Sequence, residues 1–351
     1  MLKRTEVEIG GRKVGPDQPP YIIAEISANH NGDIGRALEL VDAAKEAGAD
    51  AVKLQTYTKD TMTIDHDGPG FVLHGGLWDG KKLYDLYEWA HTPWDWHEAL
   101  FRRAADRGIH MFSTPFDTTA IDLLRRFDPP AYKIASFEAI DIPLLRAVAA
   151  EKKPVIVSTG MTTRNEVREA VETLRKNGCE QIVLLHCISG YPTEPKDSHL
   201  RTIPDLAREF DCAIGLSDHT LGTTAAISAI ALGAVMVEKH FIMRRSEGGP
   251  DSAFSLEPAE LAQLVRETKT AWQALGTPRS SPLPEEMAMR ELRRSLYVVE
   301  NVAAGEVFTS RNVRAIRPGY GLPPKEIDMI LGRRAVRDIA RGTPMSHDLL
   351  A

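Results

Sequence analysis

From about residue 20 to 275 the chain alternates between two patterns. Short β-branched and aliphatic runs are separated by longer stretches whose apolar residues recur every three to four positions. Eight runs predict strands, at 21–26, 51–55, 110–114, 131–136, 155–159, 182–187, 213–217 and 235–240. The clearest helices are predicted at 34–47, which contains ALELVDAAKEA and stops at Gly48, at 95–107 before Gly108, and at 164–176 before Gly178. Strand–helix alternation implies a parallel sheet. Eight such units in one domain fit a closed (β/α)8 barrel, a TIM barrel of the α/β class. An open doubly wound sheet would favour a GxGxxG phosphate turn near its first strand, and the chain has none there.

Two stretches break the alternation. Residues 60–92 form a long insertion after the second strand, carrying GGLWDGKKLYDLYEWAHTP. Long loops in compact domains are often functional. After Ala274 the sequence GTPRSSPLP reads as a turn-rich linker. Beyond it, VAAGEVFTSRNV (302–313) and IARGTPMSHDLL (339–350) are loosely related. The expected organisation is a barrel at 1–276, a linker at 277–293 and a small domain built on a pseudo-repeat at 294–351.

Composition narrows the function classes. Hydrophobic residues at 43% and charged residues at 26% suit a globular protein. A net charge of -6 argues against nucleic-acid binding, though lysines in a cleft can still hold an anionic substrate. Three cysteines without CxxC spacing point to a reducing compartment and a cytoplasmic protein. The opening MLKRTEVEIGGRKV has no apolar core of the kind a secretory leader needs. The longest apolar stretch, 225–237, is too short for a membrane span.

Nearly every predicted strand ends in polar residues: EISANHNG from Glu25, Lys53 to Gln55, Ser113–Thr114, Lys133 to Glu138, Ser158–Thr159, His186 to Tyr191, Ser217 to His219, and Glu238 to His240. In a barrel such ends converge at one mouth. Lys53 and Lys133 lie inside strands, where lysine is rarely buried unpaired. They fit a structural ion pair with Glu25 or Glu138, a Schiff-base lysine, or an anion cradle. Two lysines beside several hydroxyls favour the cradle. His219 and His240 end neighbouring strands and could share one metal with open positions, with Asp218 and Glu238 orienting the rings. His30 is expected to shape the first loop.

The runs IAEISANHNG, KLQTY, STPF, KIASFE, VSTGM, GLSDHT and EKHF resemble the sialic acid synthase family over essentially the whole chain. RSLY, IRPGYG and LGRRAVRDIARG resemble that family's antifreeze-like (SAF) domain. GGLWDGKKLYDLYEWAHTPWDWH, FDPPAYKIASFEAID and the short LSDH loop look most like the branch that makes pseudaminic acid.

The resemblance implies a metal-dependent transferase joining phosphoenolpyruvate to an amino-sugar aldehyde. Lys53, Thr114, Lys133, Ser136, Ser158, Ser189 and Ser217 would bind phosphoenolpyruvate. At Ser189 the sialic acid branch has asparagine. Tyr191, Asp251 and Arg317 would contact the sugar, and Arg317 would come from the partner of a domain-swapped homodimer. His219 and His240 would hold Mn2+ or Mg2+. Glu25 would be the acid/base group, with Glu138 its competitor. Ser252 stands where the sialic acid branch has the histidine of GPDH, which weakens transfer of that branch's sugar contacts. The expected acceptor lacks a 6-hydroxyl, so Trp78 or Tyr84 of the insertion could supply an apolar wall.

Overall fold

A computed structural model describes residues 6–351. Residues 1–5, part of the segment read above for a leader, lie outside the described residues. The chain divides into two compact units that meet in sequence at Gly276 and Thr277.

The first unit begins with a hairpin of β1 (Val7–Ile9) and β2 (Arg12–Val14). Eight parallel strands follow: β3 (Tyr21–Glu25), β4 (Ala51–Thr56), β5 (His110–Pro115), β6 (Tyr132–Ile134), β7 (Val155–Ser158), β8 (Ile182–Cys187), β9 (Ala213–Asp218) and β10 (Met236–His240). They pair in chain order, and β10 closes on β3, so the expected (β/α)8 barrel is the observed one. Its helices bury one apolar stripe each. Arg164–Lys176 buries Val167, Ala170, Val171 and Leu174, spaced at i, i+3, i+4 and i+7. The Thr163 side chain accepts the Glu166 N–H in a reciprocal capping box, worth about 1 kcal/mol.

Alternate strand residues face inward. The inward residues nearest the strand starts are apolar: Tyr21, Ile23, Ala51, Phe112, Ile156 and Met236 are all buried. Sequence reading missed the amino-terminal hairpin. Its Val7, Ile9 and Val14 join this same apolar cluster and close the strand-start end of the barrel. Each buried side chain contributes roughly 1.5–3 kcal/mol. Among the described residues no helix is long and apolar enough to cross a membrane. Cys179, Cys187 and Cys212 are free and buried.

In the second unit β11 (Ser295–Val298) pairs antiparallel with β12 (Val313–Ile316). The two related segments meet there. Val302 and Ile339 exchange both backbone hydrogen bonds, at 2.9 and 2.8 Å. Phe308 and Met345 occupy equivalent offsets, and both are in the buried core of the unit. This pairing gives the loose sequence repeat a structural basis.

Candidate active site

Two residues beyond each apolar inward position, the same strands turn polar. Glu25 follows Ile23, Lys53 follows Ala51, Thr114 follows Phe112, Ser158 follows Ile156, and Glu238 follows Met236. All five are buried. Register sets them side by side: His240 is opposite Glu25, which is opposite Lys53, while Glu238 is opposite Ser217.

Two lysines and two carboxylates form the centre. Lys53 Nζ pairs with Glu25 Oε2, lies 3.7 Å from Glu238 Oε1 and donates to Thr114 Oγ1 at 3.1 Å. Lys133 Nζ donates to Ser158 Oγ at 2.7 Å and to the Ile134 carbonyl at 3.0 Å. It also lies 3.9 Å from Glu238 Oε1. Lys133 makes no ion pair with Glu138. Burying such ions costs several kcal/mol each and rarely serves stability.

The two carboxylates are pushed in opposite directions. Burial raises Glu25 to about 7, with Lys53 opposing and the Glu238 charge adding. Burial acts the same way on Glu238, but Lys133 and Lys53 outweigh it and hold that carboxyl below its ordinary range. Glu25 can therefore carry or release a proton near neutrality while Glu238 stays charged. Its position is fixed by Ser27, whose backbone sits at φ +40° and whose N–H donates to Glu25 Oε1 at 2.9 Å. Gln55 Nε2 donates to Ser27 Oγ at 2.9 Å. These two supports were visible in sequence only as polar strand ends.

The hydroxyls gather on the neighbouring loops. The Gly160 N–H donates to Ser136 Oγ at 3.0 Å. Ser189 Oγ is buried without a hydrogen-bond partner. Ser217 Oγ donates to Glu238 Oε1 at 3.4 Å. Glu138 has a buried, unpartnered Oε2, and burial pushes its carboxyl up to about 7.

His219 and His240 lie with ring centroids 5.5 Å apart. His219 Nδ1 donates to the Ile188 carbonyl at 3.0 Å, which leaves Nε2 with a free lone pair. His240 Nδ1 is buried and unpartnered, 3.6 Å from Asp251 Oδ2. Burial, reinforced by surrounding cations, keeps His240 neutral. Among the described residues no three His, Cys, Asp or Glu side chains form a ready-made metal cluster. Two imidazole nitrogens, one of them orphaned, beside a carboxylate fit a divalent cation whose remaining ligands come from outside the chain.

Asp218 and Glu238 do not hydrogen-bond either imidazole, contrary to the sequence expectation. Glu238 sits between the lysines. Asp218 Oδ2 accepts from the fully buried Lys239 Nζ at 2.7 Å, because both point away from the barrel interior. Cys187, not singled out from sequence, places Sγ 3.9 Å from His219 Nδ1. The Tyr191 ring packs at a tilt 4.5 Å from His219 and 5.4 Å from Phe254. His30 is buried against Trp96 at 5.3 Å, in the first loop. Arg317 belongs to the second unit, directly after β12, in a cis Arg317–Pro318 bond.

A model of the NeuB family matches residues 40–280, and one of the SAF domain matches residues 293–351. The chain belongs to the NeuB family. It is 44% identical over 331 residues to a pseudaminic acid synthase of Campylobacter jejuni, covering 94% of this chain and 96% of that one. A pseudaminic acid synthase of Helicobacter pylori is 43% identical over 333 residues, covering 94% and 98%. A Leptospira borgpetersenii N-acetylneuraminic acid synthetase, solved with citrate, superposes with a TM-score of 0.74 at 33% identity, over 82% of this chain and 95% of that one. NeuB membership thus agrees with the barrel fold and with the family resemblance of the strand-end motifs.

Proposed function

We propose that this NeuB-family enzyme is a transferase that condenses phosphoenolpyruvate with 2,4-diacetamido-2,4,6-trideoxy-L-altrose, releasing phosphate and giving the nine-carbon 2-keto acid pseudaminic acid. The observation that carries the reading is the buried Lys53–Lys133 pair, ringed by hydroxyls and set beside two imidazoles. The identity to two pseudaminic acid synthases supports the choice of acceptor.

Phosphoenolpyruvate brings two anionic groups into one small volume. Lys53 and Lys133 supply fixed cations, and Thr114, Ser136, Ser158, Ser189 and Ser217 supply preorganised hydroxyls. Ser189 is the hydroxyl still without a partner. Tyr191 and Asp251 border the imidazole pair, where the open-chain sugar would lie. His219 and His240 would hold a divalent cation, Mn2+ or Mg2+, which supplies Lewis-acid polarisation of the aldehyde oxygen when bound.

Carbon–carbon bond formation joins the enol carbon of phosphoenolpyruvate to the aldehyde carbon. Water then adds at C2, and phosphate leaves with its bridging oxygen by C–O cleavage. Glu25, poised near neutrality, is the group suited to give a proton to the new alkoxide or take one from the attacking water. Glu138 has a similar poise, with the Lys133 charge acting on it only from a distance.

We also propose that the working unit is a domain-swapped homodimer in which Arg317 of one protomer completes the partner's mouth. Support comes from apolar side chains left open on the strand-end loops: Phe137 and Met161 are each 61% exposed, and Leu221 is 64% exposed. Arg317→Ala should impair catalysis while the barrel stays folded, and normal activity would count against the swap.

Incubating the enzyme with phosphoenolpyruvate, manganese and each of the aldehydes leading to pseudaminic, legionaminic and N-acetylneuraminic acid tests the reading. Mass spectrometry should find the pseudaminate adduct with stoichiometric free phosphate. Preference for another aldehyde would reassign the acceptor. Burial lowers the Lys133 ammonium, as a Schiff-base lysine requires, so borohydride trapping is the complementary control. A trapped adduct without phosphate release would replace condensation by aldolase chemistry.

A further inference from the structure

The insertion after β4 is not a uniform surface decoration. Residues 72 and 82 bridge antiparallel, and Leu73 N–H donates to the Lys81 carbonyl at 2.9 Å, making a small hairpin. Its tip turns on Gly76 and Gly80, both at φ +74°, a conformation side chains rarely adopt. Between them stands Trp78. Its ring lies 5.6 Å from the Tyr191 ring, and its Nε1 donates to the Pro250 carbonyl at 3.1 Å. The hairpin therefore touches the mouth through two loops, one following β8 and one following β10. Tyr84 is turned elsewhere: its hydroxyl donates to Asp60 Oδ1 at 2.8 Å and its ring carries Lys59.

We infer that Trp78 is the specificity-determining residue for the acceptor, forming the apolar wall against which the sugar carbon farthest from the aldehyde is packed. This rests on the condensation reading above. The reacting aldehyde belongs beside His219 and His240, and the Tyr191 ring lies tilted against His219 at 4.5 Å. Trp78 is the next ring outward from Tyr191. With 4.5 Å from His219 to Tyr191 and 5.6 Å from Tyr191 to Trp78, the indole lies within contact reach of the far end of an extended six-carbon chain held at His219. The side of the acceptor reaching Trp78 is thus its C6 end. The indole N–H is already bonded to Pro250, so this wall presents carbon, with no free donor for a terminal hydroxyl. A methyl loses nothing against it, whereas a hydroxymethyl forfeits water without replacement. The pairing of Trp78 with Tyr191 also holds the indole in place at little entropic cost.

The test uses the full-length enzyme with manganese. Wild type, Trp78→Phe and Trp78→Ala are assayed with the 6-deoxy diacetamido aldehyde and its 6-hydroxy counterpart. Trp78→Ala should raise the KM for the 6-deoxy acceptor about tenfold or more and shrink the preference for it over the 6-hydroxy compound by a similar factor. The KM for phosphoenolpyruvate should stay within about twofold. Trp78→Phe should recover most of the preference. An unchanged acceptor preference in Trp78→Ala would overturn the inference. So would a parallel rise in the phosphoenolpyruvate KM, which would make the hairpin a general support. If wild type turns over a different aldehyde, the acceptor assignment fails by itself. Trp78 is then judged by the same ratio on that aldehyde and its analogue altered at C6.

Discussion

Along a single barrel strand, two successive inward positions have opposite chemistry. On β3 they are Ile23 and Glu25, on β4 Ala51 and Lys53, on β5 Phe112 and Thr114, and on β7 Ile156 and Ser158. Backbone pairing is continuous through both layers. The lower layer is apolar and sealed by the amino-terminal hairpin. The upper layer buries two lysines and two carboxylates, groups whose desolvation costs several kcal/mol each and which apolar residues of similar volume often replace without loss of stability. The difference teaches that stability and chemistry are assigned to separate layers of one set of strands. Substitutions should sort accordingly.

The sharpest separation comes from the ends of that contrast. Replacing both His219 and His240 by alanine should abolish metal-dependent turnover while leaving the thermal transition in place. Surviving turnover in a chelator would remove the Lewis-acid role. Phe112→Ala, one layer below Thr114, should do the reverse. It should cost about 3–5 kcal/mol in denaturant unfolding, as large-to-small changes at fully buried aromatic sites do, with kcat little changed in the remaining folded enzyme. A large fall in kcat for Phe112→Ala would show the layers to be coupled.

Next in size is Glu25→Gln, which keeps the shape of the upper layer and removes the proton carrier proposed above. It should lower kcat by about a hundredfold or more with a much smaller rise in KM. The opposite split in steady-state kinetics would make Glu25 a binding residue. It would leave Glu138 as the acid/base candidate.

The layering also explains what was legible in the sequence. Short β-branched and aliphatic runs between helical stretches gave the eight strands, and their polar endings exposed the mouth, because inward parity is retained to the last residue of each strand. Lys53 and Lys133 stood out for the same reason. Parity alone could not say which neighbour each charge meets. Asp218 and Glu238 read as equivalent partners for the histidines, yet Asp218 faces Lys239 outside the barrel and Glu238 faces the lysines within. The choice between Trp78 and Tyr84 likewise required the hairpin's path. The β1–β2 plug escaped notice because its three-residue strands are too short to carry a period.

A pH experiment separates the layers by a smaller effect. Burial holds Glu138 near 7 when folded, above the roughly 4.3 expected of the unfolded chain. Below that lower value both states are protonated and nothing is lost. As pH rises from there towards 7 the unfolded chain releases its proton first, so stability falls across this window and levels off above it. Glu25 is raised to the same range and contributes a like decline, so Glu138→Gln should remove only its own share, making the fall in urea midpoints from pH 4 to 8 shallower. The Phe112→Ala variant should keep the slope and shift the whole curve down. An unchanged slope in Glu138→Gln would mean that Glu138 is not a proton-retaining group.

The smallest expected effect probes how closely the upper layer is built. Gly160 has an ordinary backbone conformation, so strain is not the reason for glycine. Space is: a Cβ there would fall 2.5 Å from Ser189 Oγ and 2.8 Å from Ser136 Oγ. Gly160→Ala must therefore push two hydroxyls aside while leaving Lys53 and Lys133 in place. Their charges still hold the anion, so the cost should be confined to the donors. The KM for phosphoenolpyruvate should rise about tenfold, the size of one neutral hydrogen bond lost, with kcat and the acceptor KM nearly constant. Ser189→Ala in the same background should add little, because that hydroxyl is already displaced. Full additivity of the two changes would place Ser189 outside the anion cradle and return it to the structural side of the comparison.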